Sequence, residues 1–147
     1  MIPSNYFLFL IMFCGGMAVA LQPSINARLA QRVGILESAC ISFAVGTLVL
    51  LLIVLFSGRG TIKGIYGVAW WELTGGILGA LFVSLTILVV PRIGTAATMA
   101  AIIAAQLTTG LVLDHFGLFG FKVLTLDLKR LMGLVLLTLG ASLMLRH

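Results

Sequence analysis

Charge is what this chain has least of: nine Lys/Arg and four Asp/Glu in 147 residues, or 9% charged against 61% hydrophobic. A water-soluble domain of this length covers its surface with charged and polar groups, and ordinary charged usage is about 25%. That scarcity, with a mean hydropathy of +1.24, excludes a soluble globular domain and predicts an integral membrane protein. Histidine is nearly missing as well. His115 is the only one away from the terminus, so no second imidazole supports a metal site. Only two cysteines occur, Cys14 and Cys40, both inside apolar stretches and without ligand spacing; they are expected to be small buried packing residues. With no nucleophile–base pair and no ligand cluster, neither an enzyme nor a cofactor or metal is expected.

What is there is apolar and long. Five segments separate, at about 5–27, 36–57, 67–90, 95–113 and 129–146, each close to the ~17–25 residues that cross about 30 Å of hydrocarbon as a helix. Unpaired backbone is prohibitive in lipid, and these runs lack the alternation of a barrel strand, so helices are predicted. The first segment has no positive side chain before it and exceeds the ~7–15 apolar residues of a secretory signal, so it reads as a retained span. "RLAQRVGILE", "SGRGTIKGIYG" and "VPRIG" are short connections, which predict antiparallel neighbours. The longer "DHFGLFGFKVLTLD" is expected to be an interfacial turn carrying Phe116, Phe119 and Phe121 at headgroup level. No internal repeat is evident, and the expectation is a single transmembrane domain over 1–147.

The net charge of +5 would suggest nucleic acid in a soluble protein. Here the basic residues lie between apolar blocks, where they anchor helices to lipid and set orientation, so nucleic acid is not an expected partner. With five spans, Arg59, Lys63, Lys122, Lys129 and Arg130 fall on the N-terminal side and Arg28, Arg32, Arg92 and Arg146 on the other. Five against four gives almost no orienting bias. The count predicts dual topology: two copies inserted oppositely and paired about an axis in the membrane plane, giving a ten-helix bundle of inverted symmetry.

Polar groups inside the spans are few. Gln22 and Asn26 are four apart and share a helix face. Pro23 between them removes an N–H, frees the carbonyl of Val19 and favours a bend. Gln106 stands near the middle of the fourth span, with Ser42 one turn inside the second, and Thr108 and Thr109 beyond Gln106. Hydroxyls satisfy themselves on their own helix, whereas an amide needs a neighbour or a solute. Gly75, Gly76 and Gly79 in "WWELTGGILGA" contain a Gly-x-x-x-Gly spacing that allows close helix packing. Trp70 and Trp71 suggest headgroup depth for Glu72, whose carboxylate is the one candidate for proton coupling, through an interfacial vestibule. Asp114 and His115 close the fourth span as a solvated turn. No ionisable group stands at the bilayer midplane, so amides and hydroxyls would orient a neutral or weakly polar solute.

The stretches "LQPSINARLA", "ISFAVGTLVLL", "WWELTGGILGALFV", "PRIGTAATMAAIIAAQLTTGLVLDHFGLFG" and "KRLMGLVLLTLGASLM" together resemble the bacterial YdcZ-type, EamA-like family of the drug/metabolite transporter superfamily, over nearly the whole chain. The resemblance implies a five-helix inner-membrane protein, found as dual-topology single chains, paired subunits or ten-helix fusions, and related to exporters of small metabolites or drugs. It places the family's polar positions on Gln22, Asn26 and Gln106, with Asp114 in the turn. The small multidrug resistance proteins of the same superfamily carry a glutamate in the first span; none stands there here, which argues against cation-for-proton exchange by that route.

The expected molecule is therefore an all-α integral membrane protein of the bacterial inner membrane. It would pair with an inverted copy of itself and move a small organic solute by alternating access. Gln22, Asn26, Gln106 and Ser42 would contact the solute, and Trp70 or Trp71 would cover the entrance. The alternatives are a structural or accessory subunit, in which Gln106 is consumed by helix contacts, and a passive channel, for which no filter motif or charged ring is present.

Overall fold

A computed structural model describes residues 4–58, 60–120 and 122–144. It is helical, with α1 at Ser4–Val33, α2 at Ile35–Ser57, α3 at Gly75–Ile93, α4 at Thr95–Phe116 and α5 at Leu128–Met144. Short 3₁₀ turns occupy Ile62–Gly67, Trp70–Thr74 and Leu118–Gly120. Among the described residues, four stretches are long and apolar enough to cross a membrane: Tyr6–Val33, Ile35–Ser57, Trp70–Ile93 and Thr95–Phe116. The fifth helix has 17 described residues, a length of about 25 Å. Its expected end at 146, with Arg146, lies outside the described residues, as do Arg59 and Phe121.

Two expected connections are not loops. The polar segment "RLAQRVGILE" is helical except at Gly34, and α3 runs through Pro91 to Ile93 before Gly94 alone separates it from α4. Both glycines hold the same conformation, φ 103° and ψ 161° at Gly34 and φ 84° and ψ 160° at Gly94. That region is essentially closed to residues with a Cβ, so one glycine turns the chain where a loop of several residues was expected. Each new helix starts by pairing back to its corner: Ser38 N–H donates to the Gly34 carbonyl at 3.0 Å, and Thr98 N–H to that of Gly94 at 3.2 Å. The sequences match as well, Arg32-Val-Gly-Ile-Leu-Glu-Ser38 against Arg92-Ile-Gly-Thr-Ala-Ala-Thr98, a repeat that hydropathy does not reveal.

The helices form two compact units, Met1–Pro91 and Arg92–His147. In the first, the core lies toward the Gly34 end of α1 and α2. Ala39, Val83 and Ile87 are buried together, with Ala30 and Phe82 packed against them. Gly79 adds a close approach, since a Cβ there would stand 3.3 Å from the Phe43 ring, whereas Gly75 and Gly76 face open space in this chain. Away from the corner, every residue of α1 from 6 to 19 and of α2 from 43 to 57 is exposed. Cys14 and Cys40 are exposed too, so they are not the buried packing residues expected of them.

In the second unit α4 and α5 pack together, joined by a knitted turn. Asp127 caps α5, its Oδ1 accepting from the Arg130 N–H at 2.8 Å, the usual way a side chain satisfies a free amide in the first turn. The carbonyl of Asp114 accepts from the N–H groups of Gly117 at 3.3 Å and Leu124 at 2.9 Å. Phe116 and Phe119 remain exposed.

Candidate functional site

The polar end of α1 is where the chain departs most from an apolar span. Pro23 interrupts the hydrogen-bond ladder by lacking an N–H, yet the helix continues for ten residues. Continuation is tolerated because this stretch is packed: Pro23, Asn26 and Ala27 are buried, and Pro23 is among the most enclosed side chains. Ser38, fully buried at the start of α2, donates its hydroxyl to the Asn26 carbonyl at 2.8 Å. That bond ties the two helices at the amide-bearing turn.

The side chain of Asn26 is a different matter. The residue is 5% exposed, and its Nδ2 is buried without a hydrogen-bond partner. Leaving a buried amide donor unpaired costs about 1–3 kcal/mol, which an apolar residue of similar size would avoid. Gln22, one turn earlier, is exposed. The two amides share a helix face by spacing, but only Asn26 falls within the contact with α2.

The remaining predicted residues are spread along the chain. Ser42 is half-buried on α2, and Gln106 is exposed on α4. Thr108 donates to the Ala104 carbonyl of its own helix at 2.8 Å, as a membrane hydroxyl commonly does. Trp70 and Trp71 are exposed in the 3₁₀ turn before α3. Glu72 is engaged there: its Oε2 accepts from the Ala69 N–H at 2.7 Å, while its own N–H donates to the Ala69 carbonyl at 3.0 Å. The carboxylate closes the turn that leads into α3.

Asp114 is half-buried and His115 exposed, and both side chains also bond to the segment that leads into and begins α5. Asp114 Oδ2 pairs with the Arg130 guanidinium at 3.3 Å, and His115 Nδ1 accepts from the Leu126 N–H at 3.3 Å. Sequence reasoning assigned Arg130 to headgroup anchoring because partners sixteen residues apart cannot be read from spacing. Ser38 was missed as well, although its position four residues after Gly34, matched by Thr98 after Gly94, was a usable signal.

Comparison with known proteins agrees with a membrane location. The family model described as "Putative inner membrane exporter, YdcZ" matches residues 7–143. Inner membrane protein YdcZ of Escherichia coli (strain K12) is 31% identical over 139 residues, covering 92% of this chain and 93% of the relative. No solved structure matches the chain. A family match across nearly every described helix, with four apolar helices among the described residues long enough to span, makes this a multi-pass inner membrane protein that belongs to the YdcZ family.

Proposed function

We propose that the chain is a carrier of a small organic solute, working as a homodimer of oppositely inserted five-span copies that expose the solute to each side in turn. The observation that carries this reading is the unpartnered Nδ2 of Asn26, a buried donor kept at a cost to stability on a helix already interrupted by Pro23. An acceptor atom on a solute satisfies it when α1 and α2 part around the Gly34 corner. Gln22 and Gln106 supply further amide contacts, Ser42 assists, and Trp70 and Trp71 stand at the entrance. The near-equal division of Lys and Arg supports the inverted pairing. Glu72, already bonded to Ala69, acts as a structural cap.

The test is counterflow in proteoliposomes against a panel of neutral, anionic and cationic metabolites. Saturable exchange is the expected outcome; flux that never saturates indicates a pore, and no flux with any solute indicates an accessory subunit. Gln106→Ala is expected to lower flux about tenfold or more, the effect of one lost polar contact to a bound solute, while the protein still elutes as a dimer. Loss of dimer in step with loss of flux reassigns Gln106 to helix packing.

A further inference from the structure

The connection between α4 and α5 is tied to the end of α4 through two alternate amides, and their acceptors differ in kind. Leu124 N–H donates to the backbone carbonyl of Asp114 at 2.9 Å, and Leu126 N–H donates to Nδ1 of His115 at 3.3 Å. A peptide carbonyl accepts at any pH. An imidazole nitrogen accepts only while it carries no proton. The second bond therefore fixes both the charge and the tautomer of His115: the ring is neutral, with its hydrogen on Nε2.

The surroundings leave this bond open to acid. His115 is exposed and next to the end of the Thr95–Phe116 span, where protons reach the ring. Phe116 stands edge-on to it, with centroids 4.9 Å apart. The carbonyls left unpaired in the last turn of a helix favour a cation at this position. Charged groups lie on all three segments that meet here: Asp114 on α4, Lys122 and Asp127 on the connection, Lys129 and Arg130 on α5. The two carboxylates favour an imidazolium, and the three basic groups oppose it. Both carboxylates are already engaged, Asp114 with the Arg130 guanidinium at 3.3 Å and Asp127 with the Arg130 N–H at 2.8 Å. Carboxylates and guanidinium ordinarily keep their charge between about pH 5 and 8, the range in which imidazole changes its own. Acid in that range removes one tether and leaves the others.

We infer that His115 is a proton-operated latch on the segment leading into α5. Neutral, it holds Leu126 against the end of α4. Protonated, its Nδ1 becomes a donor facing the Leu126 N–H, and Thr125 and Leu126 lift away between the points still fixed at Leu124 and Asp127. The bond contributes on the alkaline side and is lost as pH falls, because only the unprotonated ring can make it. α5 keeps its cap and its ion pair throughout. Every contact involved lies within one compact unit, Arg92–His147, so the latch depends neither on the carrier reading nor on pairing between copies.

The test is NMR on the full-length protein in lipid nanodiscs, with His147→Gln so that His115 is the histidine observed. At about pH 8 the ring nitrogen shifts are expected to show the neutral Nε2–H tautomer. Exchange of each amide with water, corrected for its intrinsic pH dependence, then reads the two tethers separately. From about pH 8 to 5, protection at Leu126 is expected to fall several-fold, the effect of one ordinary hydrogen bond, while protection at Leu124 stays level. With His115→Gln added, the pH dependence at Leu126 is expected to vanish, since a side-chain amide does not titrate. An Nδ1–H tautomer at the alkaline end, or equal Leu126 protection at both ends of the range, overturns the latch. So does a pH-dependent Leu126 in the His115→Gln variant, which assigns the effect to another group. Loss of protection at Leu124 in step with Leu126 also overturns it, because the whole connection is then opening.

Discussion

At the scale of single residues, the proposed role of Asn26 in solute contact can be separated from its effect on stability. Its Nδ2 is buried and unpaired, so Asn26→Leu replaces an unsatisfied donor with an apolar side chain of the same branching and heavy-atom count. Thermal unfolding in detergent is expected to move upward, by the equivalent of about 1–3 kcal/mol, while counterflow is lost. A variant that unfolds earlier than the parent gives Asn26 a structural role instead. Ser38→Ala acts in the opposite sense. It removes the 2.8 Å bond to the Asn26 carbonyl and is expected to cost about 1 kcal/mol, read in the same unfolding experiment. Spacing alone identified Gln22 and Asn26 as a pair but did not distinguish them. Positions four apart differ by about 40° around a helix, and only the location of α2, which local spacing does not encode, decides which amide is enclosed.

At the scale of elements, hydropathy and length were enough to find the long helices, because about twenty apolar residues in lipid leave few alternatives. Their ends were less legible. The stretch Arg28–Arg32 looks like a loop by polarity, yet it completes α1 because a helix end near headgroups tolerates charge, and Arg28 donates to Gln31 Oε1 at 3.1 Å one turn on. What stops the helix is Gly34. Gly34→Ala and Gly94→Ala each force a Cβ into a conformation that costs about 1–3 kcal/mol. At Gly34 the added carbon also meets the Glu37 carboxylate, whereas at Gly94 it meets nothing within 4 Å. Both variants are expected to lower the unfolding temperature, Gly34→Ala with Glu37→Ala less than Gly34→Ala alone. Equal unfolding temperatures for the parent and the Gly94 variant would mean that the corner is not conformationally constrained. The knitted turn between α4 and α5 was hidden for another reason: Asp114 with Arg130 of α5, and His115 with Leu126 of the connection, are pairings eleven or more residues apart that only the fold brings together.

For the whole molecule, the proposed inverted pairing turns on how evenly Lys and Arg are divided between the two ends of the spans. Orientation follows the excess of Lys and Arg on the cytoplasmic side, and with the five spans proposed the division is five against four. Arg28→Gln with Arg32→Gln changes it to five against two, directing the N-terminal side to the cytoplasm in most copies. Lys63→Gln, Lys122→Gln and Lys129→Gln change it to two against four and direct the chain the other way. Reporters fused at the C-terminus, one active inside and one outside, read the two populations. If inverted pairs are the working unit, a population inserted about 95% one way places only about a tenth of its chains in such pairs, so flux falls roughly tenfold. Neither set touches Asn26, Gln22 or Gln106, and each chain keeps its proposed solute contacts. Coexpressing the two biased variants is therefore expected to restore flux, since each supplies the orientation that the other lacks. Restoration separates an inverted dimer from a carrier that works in one orientation. In the latter case one biased variant alone retains full flux and the other stays inactive, whatever is expressed beside it.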